Sequence, residues 1–226
     1  MNLAEKNNIV RAFVMGSNDG IISVAGIVLG VLAATSHSSN FEYNILISGI
    51  AGTIAGMISM AAGEYVSVHS ERDAENKASQ IENKKNKDQF PKQVDIVKAS
   101  LQNESIPENL AKKAALEMMK KKPLETTVRV KHGFSIANKI NPYHAAIASF
   151  FSFPTGALLP MLLVLLVPKD LKILFTYLGV TLALIITGYL AARTTKANTK
   201  RGAIRNVIAG LITMTFTYFI GKLFGR

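Results

Sequence analysis

The sequence predicts an all-α membrane protein with five transmembrane helices and a helical cytoplasmic insertion between helices 2 and 3. Two observations lead to this prediction. The chain of 226 residues has a mean hydropathy of +0.24 although 18% of its residues are charged. Its charges are also segregated, because 15 of the 26 basic residues fall within 70–143. Such uneven composition is typical of a membrane protein with one sizeable polar domain.

Five stretches are long and apolar enough to cross a bilayer, which needs about 20 apolar residues in a helix. The first contains one charge, Asp19, and the second ends just before Glu64. The alternative is five core helices of a soluble protein, but a domain this small has no room to surround them all. The predicted spans are 12–34, 44–63, 145–167, 173–192 and 206–221.

The distribution of lysine and arginine predicts the orientation of the chain. A cytoplasmic N-terminus places 22 of the 26 basic residues inside and the C-terminus outside, in agreement with the positive-inside rule. Topology therefore accounts for the net charge of +11, and no nucleic-acid partner is needed to explain it. The expected division is 1–69 with transmembrane helices 1 and 2, 70–143 as the cytoplasmic helical domain, and 144–226 with helices 3–5.

The polar insertion is predicted to be helical throughout. The second transmembrane helix is expected to continue as a polar helix through Glu82 until Pro91 breaks it. Ser105-Ile-Pro-Glu108 has the spacing of a capping box, with a proline in the first turn of the following helix. Further helices are expected near 93–101, after the capping box, and at 124–131. On composition alone, a solvated helical spacer explains this segment as well as a binding domain does.

Several classes of protein are excluded by absent residues and motifs. The chain has no cysteine, which excludes a disulfide scaffold, a cysteine zinc site, an iron–sulfur cluster and a cysteine nucleophile. The sequence contains no Walker motif, no G-x-S-x-G and no H-E-x-x-H, so it supports neither ATP hydrolysis nor proteolysis. We therefore expect neither an enzyme nor a protein with a resident cofactor.

The first predicted span carries a candidate metal ligand. Asp19 lies about 10 Å along the helix from its predicted start, at 1.5 Å per residue. Placing a carboxylate at this depth is costly, so intramembrane acidic residues usually serve a function. Asn18 is its neighbour, and Met15 lies one turn earlier on the same face. The alternative is an aspartate that is hydrogen-bonded to another span for structural reasons.

The second predicted span supplies a complementary set of side chains. Met57, Met60 and Glu64 have i, i+3 and i+7 spacing, which places them along one face of a helix. Thioethers together with carboxylates suit a first-row divalent metal, whereas calcium and magnesium favour oxygen ligands alone. Two methionines on an apolar face more often serve packing, and that alternative remains open here.

Two motifs resemble the vacuolar iron transporter family. Gly16-Ser-Asn-Asp-Gly20, followed by Ile-Ile-Ser-Val, resembles the N-D-G segment of that family's first span. Ser59-Met-Ala-Ala-Gly-Glu-Tyr-Val-Ser-Val68, with Ser70-Glu-Arg-Asp73, is similar to the family's bacterial branch. The layout of five spans with an insertion after the second also matches. The resemblance covers the whole chain, with its specific motifs in the first third.

The resemblance implies a homodimer in which the first spans face each other and line a metal path. It implies export of ferrous iron or manganese from the cytosol in exchange for protons, with the metal as substrate. The path residues of the plant members include an aspartate that matches Asp19 and a methionine that matches Met60. Glu64 is the acidic residue of the bacterial pattern, and the spelling of the motif implies a bacterial plasma membrane.

The same resemblance carries over poorly to the polar insertion. In the plant proteins this domain gathers metal with glutamates and a methionine pair. Glu82 matches one of those glutamates, but another falls on Lys85, and Lys131 stands at a further ligand position. A lysine repels a metal cation, so we expect the insertion to bind iron or manganese weakly or not at all.

Two functions therefore remain. The first is a secondary transporter of divalent metal that uses Asp19, Met60 and Glu64, with Met57, Met15 and Asn18 beside them. The second is a non-transporting membrane protein whose basic cytoplasmic domain binds a partner or anionic lipid. Asp19 distinguishes them, because a scaffold gives no reason for an aspartate in mid-membrane. Lipid and the metal ion are the expected partners.

Overall fold

The computed structural model describes residues 3–136, 141–194 and 197–225, and these form helices joined by short loops. A single 3-10 turn, Lys169–Leu171, lies between the sixth and seventh helices. No strand occurs within the described residues. The helices are α1 Leu3–Thr35, α2 Phe41–Asp88, α3 Phe90–Asn103, α4 Glu108–Lys121, α5 Pro123–His132, α6 Pro142–Leu166, α7 Lys172–Thr194 and α8 Thr199–Phe224.

Five of these helices, α1, α2, α6, α7 and α8, are long and apolar enough to cross a membrane. Each predicted span falls within one of them, to within a residue, so the prediction of an all-α protein with five spans is confirmed. The helices extend beyond the apolar runs because polar residues at their ends continue the hydrogen-bonded backbone. The longest, α2, has 48 residues, of which less than half are needed to span a bilayer.

The described residues divide into two compact units. One, here called the membrane unit, consists of Lys6–Val66 and Pro142–Arg226; the other, the polar unit, is built on Ser67–Asn141. The helices predicted within the polar insertion are all present, including the continuation of α2 past Glu82. Gln89 interrupts the helix and Pro91 lies in the first turn of α3, as a proline with no N–H to donate is expected to do.

The predicted capping box at the start of α4 is wrong. The helix begins at Glu108 with Pro107 at the N-cap, and no side chain caps it. Ser105 lies outside the helix with a φ of 65°, in the left-handed region. The chain therefore turns at Ser105, two residues before the N-cap, and proline's fixed φ starts the helix instead.

The membrane unit has α1 at its centre. Buried side chains of α1 such as Val24, Val28 and Leu29 contact residues of α2, α6, α7 and α8 in one apolar cluster. The helices α1 and α6 approach closely through glycines: a Cβ on Gly20 would overlap the carbonyl oxygen of Phe153, and one on Gly156 would overlap that of Ser17. This contact fixes which face of α1 turns toward α6 and leaves other faces for functional residues.

An ion-pair clamp joins the loops at one end of the membrane unit. Lys172 is 2% exposed and donates a hydrogen bond to Glu42 over 3.1 Å, while Lys169 donates to the backbone carbonyl of Ser36. Both ammonium groups lie over the ring of Phe41, at 4.7 Å and 5.4 Å from its centre. Charge and ring quadrupole thus hold the α1–α2 loop against the α6–α7 loop.

Candidate metal-binding site in the membrane unit

Asp19 lies at the middle of α1 and is exposed on the single chain. Its Oδ1 accepts a hydrogen bond of 2.7 Å from Ser23, one turn along the same helix. Because the neighbouring Gly20 contacts α6, Asp19 is rotated by about 100° away from that contact. Its second oxygen accepts no hydrogen bond from the part of the chain that the structure describes, and this leaves that oxygen for a ligand.

Asn18 connects three helices. Its Oδ1 accepts hydrogen bonds from Thr187 of α7 over 3.1 Å and from Asn206 of α8 over 2.8 Å. These two donors occupy the amide oxygen that a metal would use. The observed contacts therefore give Asn18 an interhelical role beside Asp19, in which it fixes the rotation of α1 within the membrane unit.

Met15 and Glu64 are brought together by Arg11, which is not among the six predicted site residues. The Nη2 of Arg11 lies 3.3 Å from both carboxylate oxygens of Glu64, and its Nη1 lies 3.4 Å from the sulfur of Met15. The same guanidinium donates to Oδ1 of Asn8, at 2.9 Å from Nη2. Arg11 thus contacts two of the six predicted site residues, Met15 on its own helix and Glu64 across on α2.

Met57 and Met60 lie on α2 and are partly buried against the apolar cluster around α1. Both thioethers therefore occupy packing positions in this conformation. Glu64 lies one turn beyond Met60 on the same helix face. Met60 is the thioether nearest in sequence to the carboxylate, as the spacing predicts.

The six residues fall into three groups. Met15 and Glu64 share Arg11, Met57 and Met60 pack on the core, and Asn18 and Asp19 have partners of their own. Within the described residues, Asp19 shares no hydrogen bond or ion pair with Met60 or Glu64. The spacing could have indicated Arg11, because residues 11, 15, 19 and 23 follow at intervals of four and form one stripe on α1. Taken singly, Arg11 is only one of the basic charges that predict the topology.

The polar unit has a buried acidic residue of its own. Glu82 is 2% exposed and accepts hydrogen bonds from Lys131 over 2.6 Å and from Lys85 over 3.2 Å. His132 lies 3.5 Å from the same carboxylate, and Lys131 also donates to Gln93. Burial raises the pKa of Glu82, but the hydrogen bonds and charges of Lys131 and Lys85 outweigh it and hold that pKa below its usual range.

The fold, with five membrane-length helices and polar side chains inside the membrane unit, defines an integral membrane protein. A sequence profile of the VIT family matches residues 10–222. The chain is 31% identical over 218 residues to vacuolar iron transporter homolog 4 of Arabidopsis thaliana, an alignment covering 96% of this chain and 84% of the relative.

Two further relatives agree with this match. Vacuolar iron transporter homolog 2 of Arabidopsis thaliana is 29% identical, over 98% of this chain and 87% of the relative. The vacuolar iron transporter of Acanthamoeba castellanii is 29% identical, over 95% of this chain and 78% of the relative. The chain therefore belongs to the VIT family, a family of membrane transporters, and the resemblance found in its motifs is confirmed.

Proposed function

We propose that the protein is a secondary transporter that moves Fe²⁺ or Mn²⁺ out of the cytosol in exchange for protons. The observation that carries the proposal is Asp19, a carboxylate on an exposed face of a membrane-spanning helix. A charge in that position is costly in hydrocarbon and calls for a partner. A permeating divalent cation is a partner that balances it, and family membership supports this choice.

The exposed position of Asp19 also supports a homodimer. Met15 and Asp19 lie on one stripe of α1 and are exposed on the single chain, although they belong to a membrane span. A second copy that places its own α1 against this stripe removes the carboxylates from lipid and doubles the number of ligands. The proposed path therefore runs between two copies of α1, with Met60 and Glu64 of α2 beside it.

The chemistry of the available groups fits softer divalent ions. Carboxylates provide charge, and thioethers favour iron, cobalt and other softer ions over magnesium and calcium. Protonation of Asp19 and Glu64 on the far side would release the metal and return a proton. We place the N-terminus in the cytoplasm and the C-terminus outside, because the basic residues concentrate on one side. We place the protein in a bacterial plasma membrane, because the motif around Glu64 is similar to the bacterial branch of the family.

Transport into proteoliposomes tests this proposal. The purified full chain is reconstituted, and uptake of Fe²⁺, Mn²⁺, Co²⁺ and Zn²⁺ is followed with and without a pH gradient. We expect uptake of Fe²⁺ or Mn²⁺. The uptake should be faster when the pH gradient drives protons in the direction opposite to the metal. Protein-free vesicles provide the background, and uptake equal to that background for all four ions would refute the proposal.

A second function has one observation in its favour. In the polar unit, a cavity of about 300 Å³ is lined by Lys121, Lys122 and Arg129, together with Glu125, Thr126 and Met118. Such a basic cavity suits a phosphate group of a lipid or a partner. It does not account for Asp19, so the transporter remains the first proposal. Binding of the purified protein to vesicles with and without anionic lipid distinguishes the two functions.

A further inference from the structure

The contacts of Arg11 single it out from the other basic residues of the membrane unit. One guanidinium reaches both oxygens of Glu64 and the sulfur of Met15, which are a carboxylate and a thioether of the predicted metal site. A divalent metal bound to Glu64 and Met15 would need the same space. Arginine and metal are therefore mutually exclusive at this position.

The two partners of the ion pair differ in exposure. The side chain of Glu64 is 10% exposed and that of Arg11 is 50% exposed. An enclosed, ionised carboxylate that loses its counter-charge is strongly disfavoured, so Glu64 needs a cation beside it whenever it carries its charge. Arg11 provides one whenever no metal is bound, without any ion from solution.

From this geometry we propose that Arg11 is a tethered competitor of the transported cation and thereby determines which ions bind. The proposal rests on the proposed transport function. A monovalent ion such as Na⁺ gains nothing by displacing Arg11, because it exchanges one unit charge for another and replaces several directed hydrogen bonds. A divalent ion brings an additional charge to the carboxylate, and only this gain makes displacement of the guanidinium favourable.

Asn8 offers a place to hold the guanidinium when it leaves Glu64. Its Nε and Nη2 donate to Oδ1 of Asn8, at 3.3 Å and 2.9 Å, and Asn8 lies one turn before Arg11 on the same helix. This second contact does not depend on Glu64. The arginine can therefore swing away from the site while one of its hydrogen-bond partners is retained, and it returns once the metal has gone.

The test compares metal binding by the full chain with Arg11 and with Arg11→Gln. Equilibrium binding of Mn²⁺ to the purified protein in detergent is measured in the presence and absence of Na⁺. We expect Arg11→Gln to bind Mn²⁺ about tenfold more tightly, because Glu64 is no longer neutralised. Na⁺ should compete measurably in the variant and not in the wild type. Lys6→Gln is the matched control, since Lys6 is an exposed cation of the same helix, and it should leave both quantities unchanged.

A double-mutant cycle separates competition from a structural role. In a Glu64→Gln background, Arg11→Gln should no longer increase affinity, because the competed carboxylate is absent. Arg11→Lys keeps the charge but lacks the planar guanidinium whose N–H groups reach Glu64 and Met15 together. The affinity of this variant for Mn²⁺ should therefore lie between those of wild type and Arg11→Gln. This variant also decides the question in case Arg11→Gln does not fold.

These measurements distinguish failure of the proposed competition by Arg11 from failure of the proposed transport function. If wild-type vesicles transport metal but Arg11→Gln and Arg11→Lys bind Mn²⁺ no more tightly than wild type, the competition is refuted. A variant that loses only thermal stability, with unchanged affinity, would also refute it and leave Arg11 as a clasp between α1 and α2. If the wild type neither binds nor transports any of the four metals, the transport proposal itself fails.

Discussion

The hydrogen bond between Ser23 and Asp19 makes a clean substitution possible at residue 19. Asp19→Asn retains an oxygen that can accept the 2.7 Å bond from Ser23, so the variant should insert and fold. It removes the anionic ligand and the group that takes up a proton. We expect metal transport in proteoliposomes to fall to background.

Ser23→Ala provides the control for Asp19→Asn. It deletes the hydrogen bond and keeps the carboxylate, so it should retain most transport. Wild-type rates in the Asn variant would contradict the assignment of Asp19 to the metal path.

At Met60, a substitution that keeps the side-chain volume but removes the sulfur can distinguish packing from metal ligation. Met60→Leu preserves size and the contacts with the apolar cluster, so the loss in free energy of unfolding should be under about 1.5 kcal/mol. The sulfur is lost, and preference should shift away from iron, cobalt and other softer ions. Competition between metals during uptake measures this shift. Met57→Leu is the parallel variant. An unchanged order of preference among the metals in Met60→Leu would mean that Met60 serves packing alone.

At the scale of helices, the α1–α6 contact depends on the absence of side chains. Gly156→Ala places a Cβ against the backbone carbonyl of Ser17, where neither helix can yield without moving. We expect a loss of about 1–3 kcal/mol in the free energy of unfolding. Denaturant titration of the purified protein in detergent measures it.

Gly63→Ala serves as the matched control for the glycine prediction. Gly63 also lies in a helix, but nothing lies within 4 Å of the position that a Cβ would take there. The substitution should be neutral or stabilising by up to about 1 kcal/mol, because alanine favours the helix. Equal destabilisation by both substitutions would show that the α1–α6 contact is not what matters at Gly156.

The polar unit depends on the charged group at Glu82. Glu82→Gln leaves Lys131 without its counter-ion in an enclosed position, and should cost about 3 kcal/mol. Because the folded pKa of Glu82 lies below its unfolded value, the stabilisation is present above about pH 4.5 and is lost as the pH falls through the folded pKa. Hydrogen exchange of the amides of α5 in the full chain measures both effects.

Glu125 provides the comparison for Glu82. Its carboxylate pairs with Lys122 over 2.8 Å, but its side chain is 40% exposed. Glu125→Gln should therefore change exchange in α5 very little, since exposed pairs contribute less than about 1 kcal/mol. Exchange that rises equally in both variants would contradict the special role of Glu82.

The elements were predictable because their signals are local. Apolar runs of span length and Pro91 fixed helix boundaries to within a few residues, whereas the backbone at Ser105 depended on a turn that the capping pattern did not reveal. The candidate site was only partly predictable. The partners of Asn18 lie on α7 and α8, and the contact between Arg11 and Glu64 joins residues 53 positions apart. Such contacts follow from packing, not from spacing.

At the scale of the whole molecule, the polar unit and the membrane unit use lysine and arginine in the same way. In each, a basic side chain is the partner of an enclosed carboxylate, Arg11 for Glu64 and Lys131 for Glu82. In the polar unit the lysine stands at a position where the resemblance to the plant proteins implies a metal ligand. This supports the expectation that the polar unit binds little iron or manganese. Calorimetry on the full chain with Asp19→Asn measures metal binding outside the membrane site. Several metal ions bound at micromolar affinity would contradict the expectation.

The clamp at Phe41 has a consequence for chemical labelling of intact cells. A membrane-impermeant, amine-reactive reagent acylates the neutral amine that a lysine forms when it loses a proton to solvent, so it modifies only a lysine whose nitrogen solvent can reach. Lys169 is exposed and should be modified, whereas Lys172, three residues further on and 2% exposed, should not be. Glu42→Ala should make Lys172 reactive by removing its ionic partner. Peptide mass spectrometry of the labelled protein thus shows which side of the membrane Lys169 and Lys172 face. Modification of Lys85 and Lys87 in place of Lys169 would show that the chain has the opposite orientation.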